Sequence, residues 1–213
     1  MRLHGYWRSS AAYRVRIALR LKGLEAEGVH HALPRGEHRA AEYLALNPQG
    51  LVPALETEAG VLVQSSAIIE YLEERWPRPP LLPADPGARA VVRGMAGIVC
   101  ADIHPINNLR VLNRLRSEYR ADEAAIARWV NHWIREGFTA LEAQVRRYTT
   151  SGRHCFGDGV TVADVCLVPQ LYNARRFGCD LGDVPTLLAI DAHCRSLDAF
   201  RLAEPEAQPD AAG

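Results

Sequence analysis

The spacing of apolar residues changes class partway along the chain. The first eighty residues alternate short apolar runs with helix-spaced segments, whereas everything beyond Pro86 carries helical spacing alone. No single sheet or bundle accommodates both patterns. The 213 residues therefore divide into an α/β domain over 1–80 and an all-helical domain over 86–213. Between them, Trp76-Pro77-Arg78-Pro79-Pro80-Leu81-Leu82-Pro83 is an extended, proline-rich linker.

Within the first domain, Leu3 to Tyr6 reads as a strand. Ser10 to Lys22 reads as a helix, with Ala11, Val15, Ala18 and Leu19 on one face, Ser9 and Ser10 at its capping position and Gly23 ending it. Glu27 to Ala32 is a second strand and Ala40 to Leu46 a short helix, stopped by Asn47-Pro48-Gln49-Gly50. Leu51 to Leu55 is an apolar strand whose Pro53 has no N–H to donate, which puts it at a strand end or in a cis turn. Val61 to Val63 is a strand, and Ser65 caps a helix running to Glu74. The order is that of a thioredoxin-like βαβ-α-ββα unit. In the second domain helices are expected over 86–117, 122–149, 161–177 and 184–199, the third opened by the capping box Thr161-Val162-Ala163-Asp164. The tail after Ala203 is expected to be loosely held.

Charge excludes some partners. Twenty-five basic residues, all Arg except Lys22, balance 25 acidic ones to zero net charge. Such a chain lacks the field of a general nucleic-acid or membrane-surface binder. The preference for Arg has two readings, coding bias in an Ala-, Gly- and Pro-rich chain, or two-pronged clamps for carboxylates at particular positions. Five Cys without CxxC spacing read as small hydrophobes or free thiols in a reducing compartment, and no metal site is legible. Met1 to Tyr6 has no signal-peptide character, and the longest uncharged run, Tyr43 to Leu55, is too short to span a bilayer. A soluble, cytoplasmic protein is expected.

Phosphate-binding loops, nucleophile elbows and zinc-protease motifs are absent from the sequence. What remains is a pair of helix starts, Ser9-Ser10 and Gln64-Ser65, each after a strand. Free N–H groups and the positive dipole end make both potential anion sites, although for any single Ser simple capping is the better reading.

Three segments are specific: Ser9-Ser10-Ala11-Ala12-Tyr13-Arg14-Val15-Arg16-Ile17-Ala18-Leu19, Asn47-Pro48-Gln49-Gly50-Leu51-Val52-Pro53, and Gln64-Ser65-Ser66-Ala67-Ile68-Ile69-Glu70-Tyr71-Leu72. They resemble the zeta class of glutathione transferases. The likeness continues through His104-Pro105-Ile106-Asn107-Asn108-Leu109-Arg110 and Val162 to Gln170, then Asn173 to Phe177, and is strongest toward bacterial maleylpyruvate and maleylacetoacetate isomerases.

The resemblance implies a glutathione transferase fold, glutathione as cofactor, a small dicarboxylate substrate, a homodimer, and cis–trans isomerisation through reversible thiolate addition. It implies that Ser9, and secondarily Ser10, holds the glutathione thiolate, beside Ala11 where many relatives have Cys. It also implies that Val52, before a cis Pro53, pairs with the cysteinyl peptide unit and that Gln64 and Ser65 take the γ-glutamyl carboxylate. His38 falls where it reaches the glycyl end, or else is a solvated loop residue. Asp102 is a candidate partner for the γ-glutamyl ammonium, without a family motif behind it. His104 and Asn108, spaced one helical turn apart, are expected to face the site together. Arg8 and Arg176 match substrate-binding arginines of the family. Arg110 stands where animal relatives tend to have a small polar residue, and is either an extra carboxylate clamp or a surface charge. Isomerisation of maleylpyruvate to fumarylpyruvate is the expected activity, and a maleylacetoacetate isomerase of tyrosine catabolism or a general glutathione transferase acting on haloacids are the competing readings. Intact Ser9, Val52, Gln64 and Ser65 argue against a non-catalytic binding protein, and the lack of a Cys at the first helix start against a glutaredoxin-like redox enzyme.

Overall fold

A strand that lies parallel to its predecessor needs a crossover, and the first helix supplies it. In the computed structural model, which describes residues 1–212, β1 (Arg2–Gly5) pairs in parallel with β2 (Glu27–His30) across α1 (Ser10–Leu21). α2 (Ala41–Leu46) follows, then β3 (Ala54–Thr57), antiparallel to β1, and β4 (Gly60–Val63), antiparallel to β3. The sheet order is β2-β1-β3-β4, and α3 (Ser65–Arg75) packs beside α1. This is the expected thioredoxin-like unit. The face of α1 formed by Ala12, Val15, Ala18 and Leu19 is buried. The strand expected over Leu51 to Leu55 starts later, at Ala54, because Pro53 has no donor for the ladder. The Val52–Pro53 peptide is cis.

The second compact unit, Leu82–Arg195, is helical. α4 (Pro86–Gly97) is capped by Asp85, whose Oδ2 accepts from the Ala88 N–H at 2.7 Å, and widens into a π-helical turn over Ile98–Ile103. α5 (Leu109–Tyr119), α6 (Glu123–Tyr148), α7 (Val162–Arg176) and α8 (Pro185–Ser196) complete it. The single helix expected over 86–117 is thus two. Pro105 has no N–H, and its ring would strike the carbonyl four residues back, so the chain turns at 104–108 before restarting. α7 is buried from Val162 to Leu171 and forms the centre of the unit. Its capping box is present: Asp164 Oδ2 accepts from the Thr161 N–H at 2.7 Å. Gly137 of α6 lets the π turn approach closely, since a Cβ there would lie 2.3 Å from Cγ1 of the buried Ile103.

The chain from Ser196 onward packs with the first unit, not with the helices that precede it. The helix expected over 184–199 breaks after Ser196, and a short α9 (Asp198–Arg201) follows. The Tyr13 hydroxyl donates to the Phe200 carbonyl at 3.4 Å, Arg16 Nε to Ala203 O at 3.0 Å, and the Trp7 N–H to Asp210 Oδ2 at 2.9 Å. Phe200 and Ala203 are fully buried. Residues 196–212 thus group with the first unit, where a single domain over 86–213 was expected. Beyond Ala203, where a loosely held tail was expected, the buried Pro205 and the Trp7–Asp210 hydrogen bond hold the chain.

The one lysine is an internal strut. Lys22 Nζ donates to Glu73 Oε2 at 2.5 Å and to Pro79 O at 2.6 Å, while the same carboxylate oxygen accepts from the Leu81 N–H at 3.0 Å. Both side chains are buried. Together they fasten the end of α1 to α3 and to the linker.

Two stability predictions follow from these contacts. Removing one partner of a buried ion pair strands the other, so Lys22→Met or Glu73→Met alone should cost about 3–5 kcal/mol in urea unfolding. The double variant Lys22→Met/Glu73→Met should cost clearly less than the two singles added. Gly137→Ala gains helix propensity but overpacks against Ile103, giving a net loss of about 1–3 kcal/mol. Adding Ile103→Ala should cancel the overpacking in a double-mutant cycle; strict additivity would mean the close approach carries no energy.

Candidate functional site

α1 begins with Ser9 as its N-cap. Ser9 Oγ accepts from the Ala12 N–H at 3.2 Å, which satisfies one helix donor and leaves the hydroxyl proton uncommitted. Capping and donating to a ligand are therefore compatible in one side chain. Ser10 is the first helical residue and is buried with Ala11, while Arg8 is half-buried with its guanidinium 5.2 Å from the Trp7 ring centre.

At the start of α3 the expected assignment shifts by one residue. Gln64, not Ser65, occupies the cap position, with φ 70° and ψ 118°. A non-glycine residue in that region stores about 1–3 kcal/mol of strain. Its side chain does not cap. Gln64 Nε2 donates instead to Gln49 Oε1 at 2.9 Å, tying α3 to the turn before β3. Ser65 already has helical backbone and is buried, and its Oγ accepts from Arg14 Nη1 at 3.3 Å.

The two helix starts share one end of the unit. Arg14 reaches Ser65 and Lys22 reaches Glu73, an advance of eight residues along each helix, so α1 and α3 run parallel and in step. Two positive dipole ends, each equivalent to about half a unit charge, therefore lie on the same side.

Between them in sequence, the segment before β3 is held from behind. Tyr43 Oη and Asn47 Nδ2 both donate to the Leu51 carbonyl, at 2.6 and 2.7 Å. Among the described residues, neither the N–H nor the carbonyl of Val52 takes part in a backbone hydrogen bond. They offer an edge on which an extended peptide can pair. His38 sits half-buried in a 3-10 turn, with Nδ1 buried and unpartnered; burial, and then Arg39 beside it, lowers its pKa and favours the neutral ring.

In the second unit, Asp102 is exposed on the π turn, and His104 follows as that turn's cap. Asn108 caps α5, its Oδ1 accepting from the Arg110 N–H at 3.1 Å. His104 and Asn108 are thus not two positions on one helix face, as expected; the turn forced by Pro105 separates them. Arg110 is exposed in the first turn of α5, and no side-chain partner meets its guanidinium among the described residues. Arg176 closes α7, its guanidinium 5.0 Å from the Phe177 ring centre.

Three residues that spacing did not group, His154, Asp164 and Cys194, are buried with their ligand atoms within 4.8 Å of one another. The Asp164 carboxylate is already committed to Cys155 N, Thr161 N and Thr161 Oγ1, at 2.7, 2.7 and 2.9 Å. Burial pushes the Cys194 thiol far above its ordinary range. Asp164 therefore works as part of the cap of α7.

Sequence reasoning missed Arg14, Gln49 and Tyr43. Arg14 left a signal, because it stands four residues from both Ser10 and Ala18 on the stripe that buries α1. Gln49 and Tyr43 left none, since their partners are set by the return of the chain toward β3.

Residues 8–75 match the family described as glutathione S-transferase, N-terminal domain. A maleylpyruvate isomerase from a Ralstonia species is 53% identical over 212 residues, spanning all of both chains. A holo structure of maleylpyruvate isomerase, a bacterial zeta-class glutathione S-transferase, superposes with a TM-score of 0.97 at 53% identity, covering 99% of this chain and 100% of that one. Maleylacetoacetate isomerase from Anaeromyxobacter dehalogenans 2CP-1, with dicarboxyethyl glutathione and citrate in its active site, superposes with a TM-score of 0.88 at 46% identity, covering 99% and 96%. The chain belongs to the glutathione transferase family, in the zeta class that holds the maleylpyruvate and maleylacetoacetate isomerases.

Proposed function

We propose that this protein is a glutathione-dependent cis–trans isomerase that converts maleylpyruvate to fumarylpyruvate in gentisate-type aromatic catabolism. The residues present fit glutathione by chemistry. Ser9 offers an uncommitted O–H at a helix start, Val52 an unpaired N–H and carbonyl, and the start of α3 a buried cation behind Ser65. Bound glutathione supplies a thiolate that adds to the alkene carbon and leaves again after rotation, so it is not consumed.

What the chain must do is hold that thiolate. A free thiol with pKa about 8.5 is only about 3% ionised at pH 7, and two units of lowering require about 2.7 kcal/mol. The α1 dipole contributes up to about 2 kcal/mol and a hydrogen bond from the Ser9 hydroxyl about 1.5–3. Together they suffice without a cysteine of the chain at the start of α1, where Ala11 stands. Ser10 assists, and Val52, Gln64, Ser65 and His38 orient the tripeptide. Asp102, His104 and Asn108 belong to the same assignment. By the same assignment Arg8, Arg110 and Arg176 are ligands for carboxylates of the substrate.

Arg110 is the observation that carries the choice of maleylpyruvate. A cation in the first turn of a helix faces the positive dipole end, costing about 0.3–1 kcal/mol, and among the described residues no acidic side chain in that turn offsets it. An anion recruited by ligand binding does. Both candidate substrates are ene-dioic acids differing by one methylene before the distal carboxylate, so an added cation discriminates by reach. A homodimer and a cytoplasmic location form part of the same reading. No described helix is long and apolar enough to cross a membrane.

The test follows the enone absorbance of each diacid with catalytic glutathione. Arg110→Ala should lower kcat/KM for maleylpyruvate by about tenfold or more, and less for maleylacetoacetate. Loss on neither substrate would make Arg110 a surface charge. Steady conjugation of glutathione to a model electrophile, with neither diacid isomerised, would replace the isomerase by a general transferase. Ser9→Ala should raise the bound thiol pKa by at least about one unit, read from thiolate absorbance against pH. An unmoved titration would assign the thiolate to Ser10 or the helix terminus. Sizing in solution decides the dimer.

A further inference from the structure

Arg14 is 2% exposed, and no carboxylate pairs with it among the described residues. Nη1 donates to Ser65 Oγ at 3.3 Å, while Nε and Nη2 are buried and meet no acceptor. A guanidinium keeps its proton in any protein environment, so this is a fixed positive charge enclosed without a counterion. Such a charge is unfavourable until an anion approaches. The internal carboxylate that α3 does provide, Glu73, is taken by Lys22.

The location gives the charge a use. The first N–H groups of α3 lack helical acceptors, and Ser65 lies in that first turn. Because Ser65 Oγ accepts from Arg14, its own proton is directed away from the guanidinium. We infer that Arg14 is a positioning residue for carboxylate recognition: it makes Ser65 a committed donor and supplies, from one residue behind, the charge that balances the γ-glutamyl carboxylate of glutathione. The inference rests on the reading of the α3 start as the carboxylate site. It assigns the selectivity for a carboxylate over a neutral group to the interior of α1, a residue that touches no ligand.

The experiment compares glutathione with its γ-glutamyl α-carboxamide, which is identical except for that charge, by calorimetric titration of wild type, Arg14→Met and Arg14→Lys. Wild type should prefer the acid by at least about thirtyfold. Arg14→Met should reduce that preference to within about threefold and raise KM for glutathione about tenfold, with a smaller change in kcat. Arg14→Lys, which keeps the charge but has no planar fork, should recover part of the preference. An Arg14→Met protein that keeps the full preference overturns the inference and leaves Arg14 as packing. A wild type that does not distinguish acid from amide overturns the α3 carboxylate site itself. If Arg14→Met does not fold, Arg14→Lys decides alone: an intermediate preference supports the inference and an undiminished one overturns it.

Discussion

The parallel register of α1 and α3 is the constraint on which the site depends. Two cationic side chains set it, Arg14 on Ser65 and Lys22 on Glu73, and equal steps of eight residues put both helix starts at one end. Eight helical residues span about 12 Å, so the cross-links brace α1 along most of its length. Were the helices antiparallel, one positive dipole end would face away and the two helix starts would not share one end. The two braces differ in electrostatics. Lys22 meets a carboxylate and is neutralised within the fold, whereas Arg14 meets a hydroxyl and is not.

That difference bears on the excess of arginine over lysine. Most of the arginines are solvated, consistent with compositional bias, and several form exposed ion pairs of little consequence, such as Arg114 with Glu118. The single lysine occupies a place where a compact ammonium reaches a carboxylate and a carbonyl at once. A planar guanidinium has a different reach and geometry. Composition therefore says little, while the positions that break the pattern, a buried lysine and a buried arginine on the same helix, mark the structural axis of the first unit.

Much of the fold was legible because local signals agreed with tertiary ones. Ser9 and Gly23 bracket α1, the Thr161–Asp164 box opens α7, and the Asn47–Gly50 turn ends α2, each satisfying backbone groups that no other part of the chain serves. Reading failed where the deciding contact is remote. Helical spacing continues through 104–108, yet Pro105 breaks it; the residues after 196 look like a tail, yet Phe200 and Asp210 find partners on and near α1. At α3, Ser65 carries the usual capping side chain, but its hydroxyl is engaged by Arg14, and Gln64 takes the strained cap position instead.

Helix termini organise the charges of both units, by different means. In the first, two positive dipole ends and their free N–H groups lie at one end, with the enclosed Arg14 side chain behind one of them. In the second, arginine side chains stand at helix ends, Arg110 against the dipole of α5 and Arg176 along that of α7. A backbone site is stiff and suits a ligand of constant shape, such as a tripeptide held throughout turnover. Exposed arginines on long stems can follow carboxylates whose separation changes as a bond rotates from cis to trans.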